Sequence, residues 1–250
     1  MIAILSINGK EVQVNLKNPI DISMPMHQGK ANPSAWYVDA PQIEPVRTDQ
    51  FTGAVAEGGS VNFRNISFNP HGNGTHTECV GHITPTIHSI NQVLKNFHFI
   101  AQLISVQPIK ISNGDLIITW EQIQQALGKS KPEAIIIRTL PNNSQKLSKQ
   151  YSNTNPPYVE VIVMKELVKR GIKHFLIDLP SVDREVDDGV LAAHHAFWEH
   201  PDSTNLERTI TELIYVPNDV QDGSYLLNLQ IAPFENDASP SKPILYKTIE

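Results

Sequence analysis

The stretch Ala134-Ile135-Ile136-Ile137-Arg138-Thr139 sets three isoleucines in a row. Successive strand side chains point to opposite faces, so a strand of this composition is apolar on both and must be covered on both. A polar, proline-bearing segment from Pro141 to Pro157 follows and is expected to be surface loop. Val159 to Arg170 then reads as a helix, with Lys169 and Arg170 in its last turn and Gly171 to stop it. His174 to Leu179 is a second short apolar strand. Strand, helix and strand in succession confine the chain to a layered α/β or α+β arrangement, a mixed sheet with flanking helices.

The other segments fit that class. Ala3 to Ile7 and Val12 to Leu16 flank an Asn8-Gly9-Lys10 turn and predict an opening hairpin, which also argues against a signal peptide. Prolines at 25, 33, 41 and 45 exclude regular helix between Met24 and Pro45, and so long an irregular stretch is a natural pocket wall. Trp36 and Tyr37 are its large side chains. Val61 to Phe68 alternates apolar and polar residues and is expected to be a core strand ending at Asn69-Pro70. Leu103 to Ile111 and Leu116 to Ile118 have strand composition, and Thr119 is placed to cap a helix from Trp120 to Leu127 that Gly128 closes. Leu191 to Trp198 is helix-compatible; Ile210 to Val216 and Tyr225 to Ile231 read as strands, and Ala238 to Glu250 as one short terminal strand.

With 250 residues and no dividing linker, a single domain over 1–250 is expected. A formal net charge of −6 gives no electrostatic reason to bind phosphate backbones or anionic membranes, so neither nucleic acid nor membrane is an expected partner. Cys79 is the only cysteine, which excludes an intrachain disulfide and suits a reducing compartment. No run of eighteen apolar residues occurs. A soluble cytoplasmic protein is the expectation.

Chemistry concentrates in His71-Gly72-Asn73-Gly74-Thr75-His76-Thr77-Glu78-Cys79-Val80-Gly81-His82. A lone loop histidine is ordinarily solvated, but four of the ten histidines (His71, His76, His82, His88) fall between positions 71 and 88. Imidazole and carboxylate are the usual ligands of Zn²⁺ and Mn²⁺. On extended backbone His76 and Glu78 face the same way, and Gly72 and Gly74 let the chain bend so that His71 can join them. Three such ligands leave a catalytic ion an open position. Cys79 alternates away from Glu78 and is expected to pack. Asp178 and Asp183 are expected to brace a turn through hydrogen bonds to backbone.

Thr75-His76-x-Glu78-x-x-x-His82, preceded by His71, resembles the H-x-G-T-H-x-D-x-P-x-H motif of the metal-dependent cyclase family, which includes bacterial kynurenine formamidase and the isatin hydrolases. Asp21-Ile22-Ser23-Met24-Pro25 resembles that family's D-x-S-x-P entry, Ile177-Asp178-Leu179-Pro180-Ser181-Val182-Asp183 its I-D-x-P-S-V-D, and a histidine followed by a glutamate comes downstream. The resemblance implies a swivelling β/β/α fold, a homo-oligomer, and one or two divalent ions, Zn²⁺ or Mn²⁺. Carried over by position, it makes His71, His76 and Glu78 ligands and His82 the catalytic acid/base. The distal ligands map to His195 and Glu207, with His194 and Glu212 as the alternatives. This sequence departs from the pattern in three places. His71 and His76 are five positions apart where the family's histidines are four, so the turn bulges or the first ligand is lost; Glu78 replaces aspartate; and Cys79-Val80-Gly81 stands in place of A-P-x.

The implied reaction is hydrolysis of an amide-type C–N bond in a small molecule, a formamide or lactam, with Trp36 available to stack on a flat, aromatic substrate. Two rivals stand beside it: a non-catalytic binding protein stapled by metal, and a dehydratase or lactone hydrolase on the same fold. No G-x-S-x-G elbow is present to support a serine hydrolase.

Overall fold

In the computed structural model, which describes residues 1–7 and 10–249, the isoleucine-rich strand is buried at all six positions. It belongs to a mixed sheet whose main strands are β1 (His76–Glu78), β2 (His98–Val106), β3 (Ala134–Thr139), β4 (His174–Ile177), β5 (Thr209–Glu212), β6 (Gly223–Ile231) and β7 (Ala238–Ile249). Neighbours run in the order β7-β6-β2-β3-β4-β5-β1, and β7 pairs again with β1, so seven strands close into a barrel-like ring. The contiguous strands β2, β3, β4 and β5 are parallel, and every other pairing in the ring is antiparallel. Three helices flank it: α1 (Trp120–Leu127), α2 (Val161–Lys169) and α3 (Ala192–Trp198).

Alternation along these strands divides the core in two. Ile135 and Ile137 of β3, Phe175 and Ile177 of β4 and Ile210 of β5 pack with Ile123, Leu127, Val163, Met164, Leu167, Phe197 and Trp198 beneath the helices. Ala134, Ile136 and Leu176, of opposite parity, fill the ring with Leu103, Leu227, Leu229, Leu245 and Cys79. Ile135, Ile136 and Ile137 are fully buried, each contributing about 1.5–3 kcal/mol through transfer from water. Cys79 packs as expected, and burial pushes its thiol up to about 11.

The expected ends of α1 hold: the Thr119 and Gln122 side chains form a capping box, and Gly128 closes the helix at φ 57°. Helix α2 starts two residues later than expected, because Tyr158–Val159 first pairs in parallel with Leu116–Ile118. The opening hairpin is present as Ile2–Ile7 paired with Lys10–Asn15, its Asn8-Gly9 turn lying outside the described residues. Three expectations need correction. The alternating stretch from Val61 is not a core strand: only Arg64–Ser67 pairs, with Gln42–Pro45 in a separate ribbon, and Val61 and Phe63 before it and Ile66 on it are 50%, 58% and 59% exposed. The segment from Pro141 to Pro157 is not simply surface, since it buries Asn142 and Tyr151. The last strand is long, because Pro240 and Pro243 lack donors but their carbonyls still accept from Ala232 N (3.0 Å) and Ile22 N (3.1 Å). No helix among the described residues is long and apolar enough to cross a membrane.

At the start of β4, His174 is buried against the Phe99 ring, with Nδ1 2.9 Å from Thr209 Oγ1. Burial, and then the neighbouring Lys173 charge, hold it down to about 3. The unfolded chain binds a proton near pH 6.5 that the folded chain refuses, so this contribution to stability is complete above pH 6.5 and erodes as pH falls toward 3. His174→Asn keeps a polar atom near Thr209 and cannot titrate. In denaturant titrations its stability should fall less steeply between pH 6.5 and 3, by roughly 1.4 kcal/mol per pH unit; parallel curves would exclude this origin of acid lability.

Candidate metal centre and active site

The loop from Asn69 to Thr75 is built to place histidines. Asn69 Oδ1 accepts from Gly72 N, Asn73 Oδ1 accepts from Asn69 N, and the Asn73 amide donates to Asp39 O. Gly72 is required by close approach: a Cβ there would lie 2.5 Å from Val38 Cγ2 and 2.9 Å from Ala35 O. Thr75 Oγ1 accepts from Met24 N at 2.7 Å and donates to Leu213 O, fastening the entry segment to the sheet. The longer loop bulges and keeps His71 with the cluster, its ring centroid 5.1 Å from that of His76.

In β1, His76 and Glu78 share a face with Ile210 and Glu212 of the paired β5 and lie under α3. Their donors converge. His71 Nδ1 is 3.1 Å from Glu78 Oε2, His76 Nε2 is 3.5 Å from Glu212 Oε2, and His194 Nε2 is 3.2 Å from Glu78 Oε1. His82 stacks on His71 with centroids 4.3 Å apart; its Nε2 lies 3.9 Å from Glu78 Oε2 and its Nδ1 3.4 Å from Asp237 Oδ2. Asp237 also meets His71 Nε2 at 2.8 Å. Asp183 accepts from Ala193 N and His194 N and fixes His194 Nδ1 at 2.6 Å, so it orients that imidazole across elements as well as bonding backbone.

The chosen distal pair is displaced. His195 points away from the cluster, its Nδ1 3.0 Å from His200 O, and Glu207 is 74% exposed and paired with Lys173. His194 and Glu212, the alternatives, lie in the cluster beside Glu78 and His76. Helical spacing carried the signal for the first: His194 shares the buried face of Phe197 and Trp198, and His195 does not. Strand parity carried it for the second, since Glu212 follows Ile210 by two. Asp237 was not singled out at all; it precedes β7 without a motif and arrives only because Ala238 pairs with Glu78.

Charge and burial define what this centre can hold. Glu78 is completely buried; burial opposes its ionisation, but His82, His194 and His71 hold it well below the usual carboxylate range. Burial depresses His71, yet Asp237 and Glu78 lift it to about 10, and Asp183 and Glu78 overcome burial to lift His194 to about 10. His71 and then His82 hold Asp237 low. Even so, among the described residues the buried His76 Nε2 and Glu78 Oε2 make no well-aligned hydrogen bond, the His71 imidazole lying 3.1 Å from Oε2 without the alignment of one. Ligand atoms of His71, His76 and Glu78 all lie within 4.8 Å of one another, and tetrahedral donors at about 2.1 Å from an ion stand roughly 3.4 Å apart. Two orphaned donors within such a set fit a divalent ion.

The cluster opens on a cavity of about 440 Å³ whose lining includes Trp36, Val38 and Leu191 together with His71, His82, His194 and Glu212. Trp36 therefore stands in the wall of the same cavity as the imidazoles. Asp178 is not at this centre: it accepts from Thr139 N and Oγ1 and pairs with Lys146 Nζ at 2.7 Å.

The Cyclase family model matches residues 15–184. A kynurenine formamidase from Bacillus cytotoxicus is 28% identical over 228 residues, covering 90% of this chain and 96% of that one. Among solved structures, isatin hydrolase A from Labrenzia aggregata superposes with a TM-score of 0.67 at 15% identity, covering 93% of this chain and 94% of that one. A structure described as a potential metal-dependent hydrolase with cyclase activity gives a TM-score of 0.64 at 16% identity, with 92% and 98% coverage. The overall architecture is thus that of cyclase-family structures.

Two outcomes follow for the centre. His194→Ala and Glu212→Ala should each lower the bound metal measured by elemental analysis, whereas His195→Ala and Glu207→Ala should leave it unchanged; the reverse pattern would restore the displaced pair. In chelator-treated protein, His71 and His194 carry folded pKa values of about 10 against about 6.5 unfolded. Their stabilisation is complete below pH 6.5 and lost as pH rises through 10. The melting temperature of the apo protein should fall over that range, and the gap to the metal-loaded protein should widen, because ligation requires neutral imidazole.

Proposed function

The chain belongs to the cyclase family, and from its site we propose that it is a metal-dependent hydrolase cleaving an amide-type C–N bond in a formamide, a lactam or a related carbonyl compound. The observation carrying this reading is the convergence of His71, His76 and Glu78, two of them with orphaned donor atoms, beside a cavity that His71, His82 and Trp36 line. Similarity to kynurenine formamidase over most of the chain supports the reaction class.

His71, His76 and Glu78 would hold the ion, zinc or manganese, with His194 and Glu212 placed to share a second. Such an ion supplies Lewis acidity, polarising a carbonyl and acidifying water. The residues do the rest. As water adds to the carbonyl carbon and the C–N bond breaks, a proton must pass from the water to the departing nitrogen. His82 is the imidazole suited to carry it: its side chain is 30% exposed, it lines the cavity, and Asp237 lies against its Nδ1. Asp183 keeps His194 from turning. Trp36 gives the cavity a surface on which a flat substrate stacks.

The substrate is read as a small molecule, and the protein as a homo-oligomer, a reading supported by the exposed Val61, Phe63 and Ile66 in and just before the outlying ribbon.

Metal-loaded protein should hydrolyse at least one of N-formylkynurenine, isatin and simple lactams. His82→Ala should keep its metal and lose about 10²–10⁴ in kcat. Metal loss in that variant would reassign His82 as a ligand. A metal-loaded protein inactive on every amide would favour the stapled binding protein, or a dehydratase or lactone hydrolase.

A further inference from the structure

The part of the cavity wall that Trp36 supplies is held in strained backbone. Trp36 and Tyr37 are consecutive non-glycine residues, both at φ 58°, and Asn153 and Asn155 at the same rim are also left-handed, at 63° and 43°. Such conformations persist only where surrounding contacts over-determine them, and they gather at ligand sites. The contacts here converge on Glu185, two residues beyond Asp183. Its Oε1 accepts from Asn153 N and its Oε2 from Asn155 N, at 2.5 and 2.8 Å. The Tyr37 hydroxyl stands 3.3 Å from Oε1 and 3.2 Å from Asn153 Oδ1, and Tyr37 N donates to Ser152 Oγ at 2.9 Å. Behind them Tyr151 N donates to Ser34 O, and Trp36 packs against the buried cluster of Met24, Ala35, Tyr151 and Leu213.

We propose that Glu185 is a positioning residue that clamps the turn carrying Trp36, and through the fixed indole sets the preference of the cavity for flat aromatic ligands over small aliphatic ones. The proposal rests on the cavity being the substrate site, not on the bond that is cleaved there. A carboxylate suits the task because every group it meets is a donor: two backbone N–H groups and one hydroxyl. Its two oxygens serve both loops at once, the backbone of Asn153 and Asn155 on one and the Tyr37 hydroxyl on the other. Without Glu185 the two left-handed asparagines and the Trp36-Tyr37 turn lose their common anchor, and the indole gains freedom that a stacking ligand would then have to remove.

The test is a double-mutant cycle on zinc-loaded protein, read by calorimetric titration with benzamide and with acetamide. Trp36→Ala should weaken benzamide binding about tenfold and leave acetamide unchanged. Glu185→Ala should do the same with metal content intact, and Tyr37→Phe should fall between it and the parent. In the Trp36→Ala background, Glu185→Ala should bring no further loss, because its effect passes through the indole. An undiminished effect of Glu185→Ala in that background would overturn the proposal, as would a parent protein that binds benzamide no more tightly than acetamide. Should Glu185→Ala fail to fold, Glu185→Gln, which keeps one acceptor oxygen, enters the same cycle with a smaller expected loss. A parent protein that shows the binding preference but turns over no amide would overturn the hydrolase reading alone and leave the clamp standing.

Discussion

A carboxylate with no surface exposed to water, that of Glu78, is the constraint from which the rest of this structure follows. A buried charge is tolerable only when paired and hydrogen-bonded, and here the neighbours include further acids: Glu212, Asp183 and Asp237. Several acids in one buried place require positive charge in the same place, and the fold delivers it as imidazoles from separate parts of the chain. His71 arrives on a loop closed by Asn69 and Asn73, His194 on a short helix held by Asp183, and His82 by stacking on His71. Protons on these imidazoles or a divalent ion among them can answer the same charge, which makes metal binding and proton release two sides of one equilibrium.

The position of the centre is a consequence of parity. Residues of β1 and β5 that face the ring interior are Thr77, Thr209 and Thr211, with Cys79 just beyond β1, and those that face the helices are His76, Glu78, Ile210 and Glu212. The polar cluster therefore occupies the end of the helix-covered layer, where Ile210 and Trp198 still exclude water but the cavity beside Trp36 admits a ligand. The same side chains are dry enough to interact strongly and open enough to react.

Much of this was legible in the sequence wherever local chemistry decides. Thr119 and Gly128 bracket α1 because capping and left-handed glycine are local effects, and the isoleucine run of β3 declares double-sided burial by itself. The cluster from His71 to His82 announces its own half of the centre. What stayed hidden is what tertiary pairing decides. Val61, Phe63 and Ile66 carry the pattern of a core strand, yet they stand more than half exposed, Ile66 in an isolated two-stranded ribbon and Val61 and Phe63 in the chain just before it. A spacing borrowed from relatives selected His195 and Glu207, while the physical signals, the apolar face of α3 and the parity of β5, pointed to His194 and Glu212. Asp237 carried no local signal; only the register of β7 against β1 brings it in.

That register has a consequence for the birth of the molecule. The seam between β7 and β1 joins the last strand of the ring to its first, across well over a hundred residues of intervening chain. While β7 is still inside the ribosome, β1 has one open edge, Asp237 is missing, and His71 and His82 have nothing to share. His71, His76 and His82 emerge early, and Asp237, which meets two of them, emerges late. The pairing of His71 and His82 with a shared carboxylate is thereby tied to closure of the ring: until β7 docks on β1, that carboxylate has no fixed place beside them.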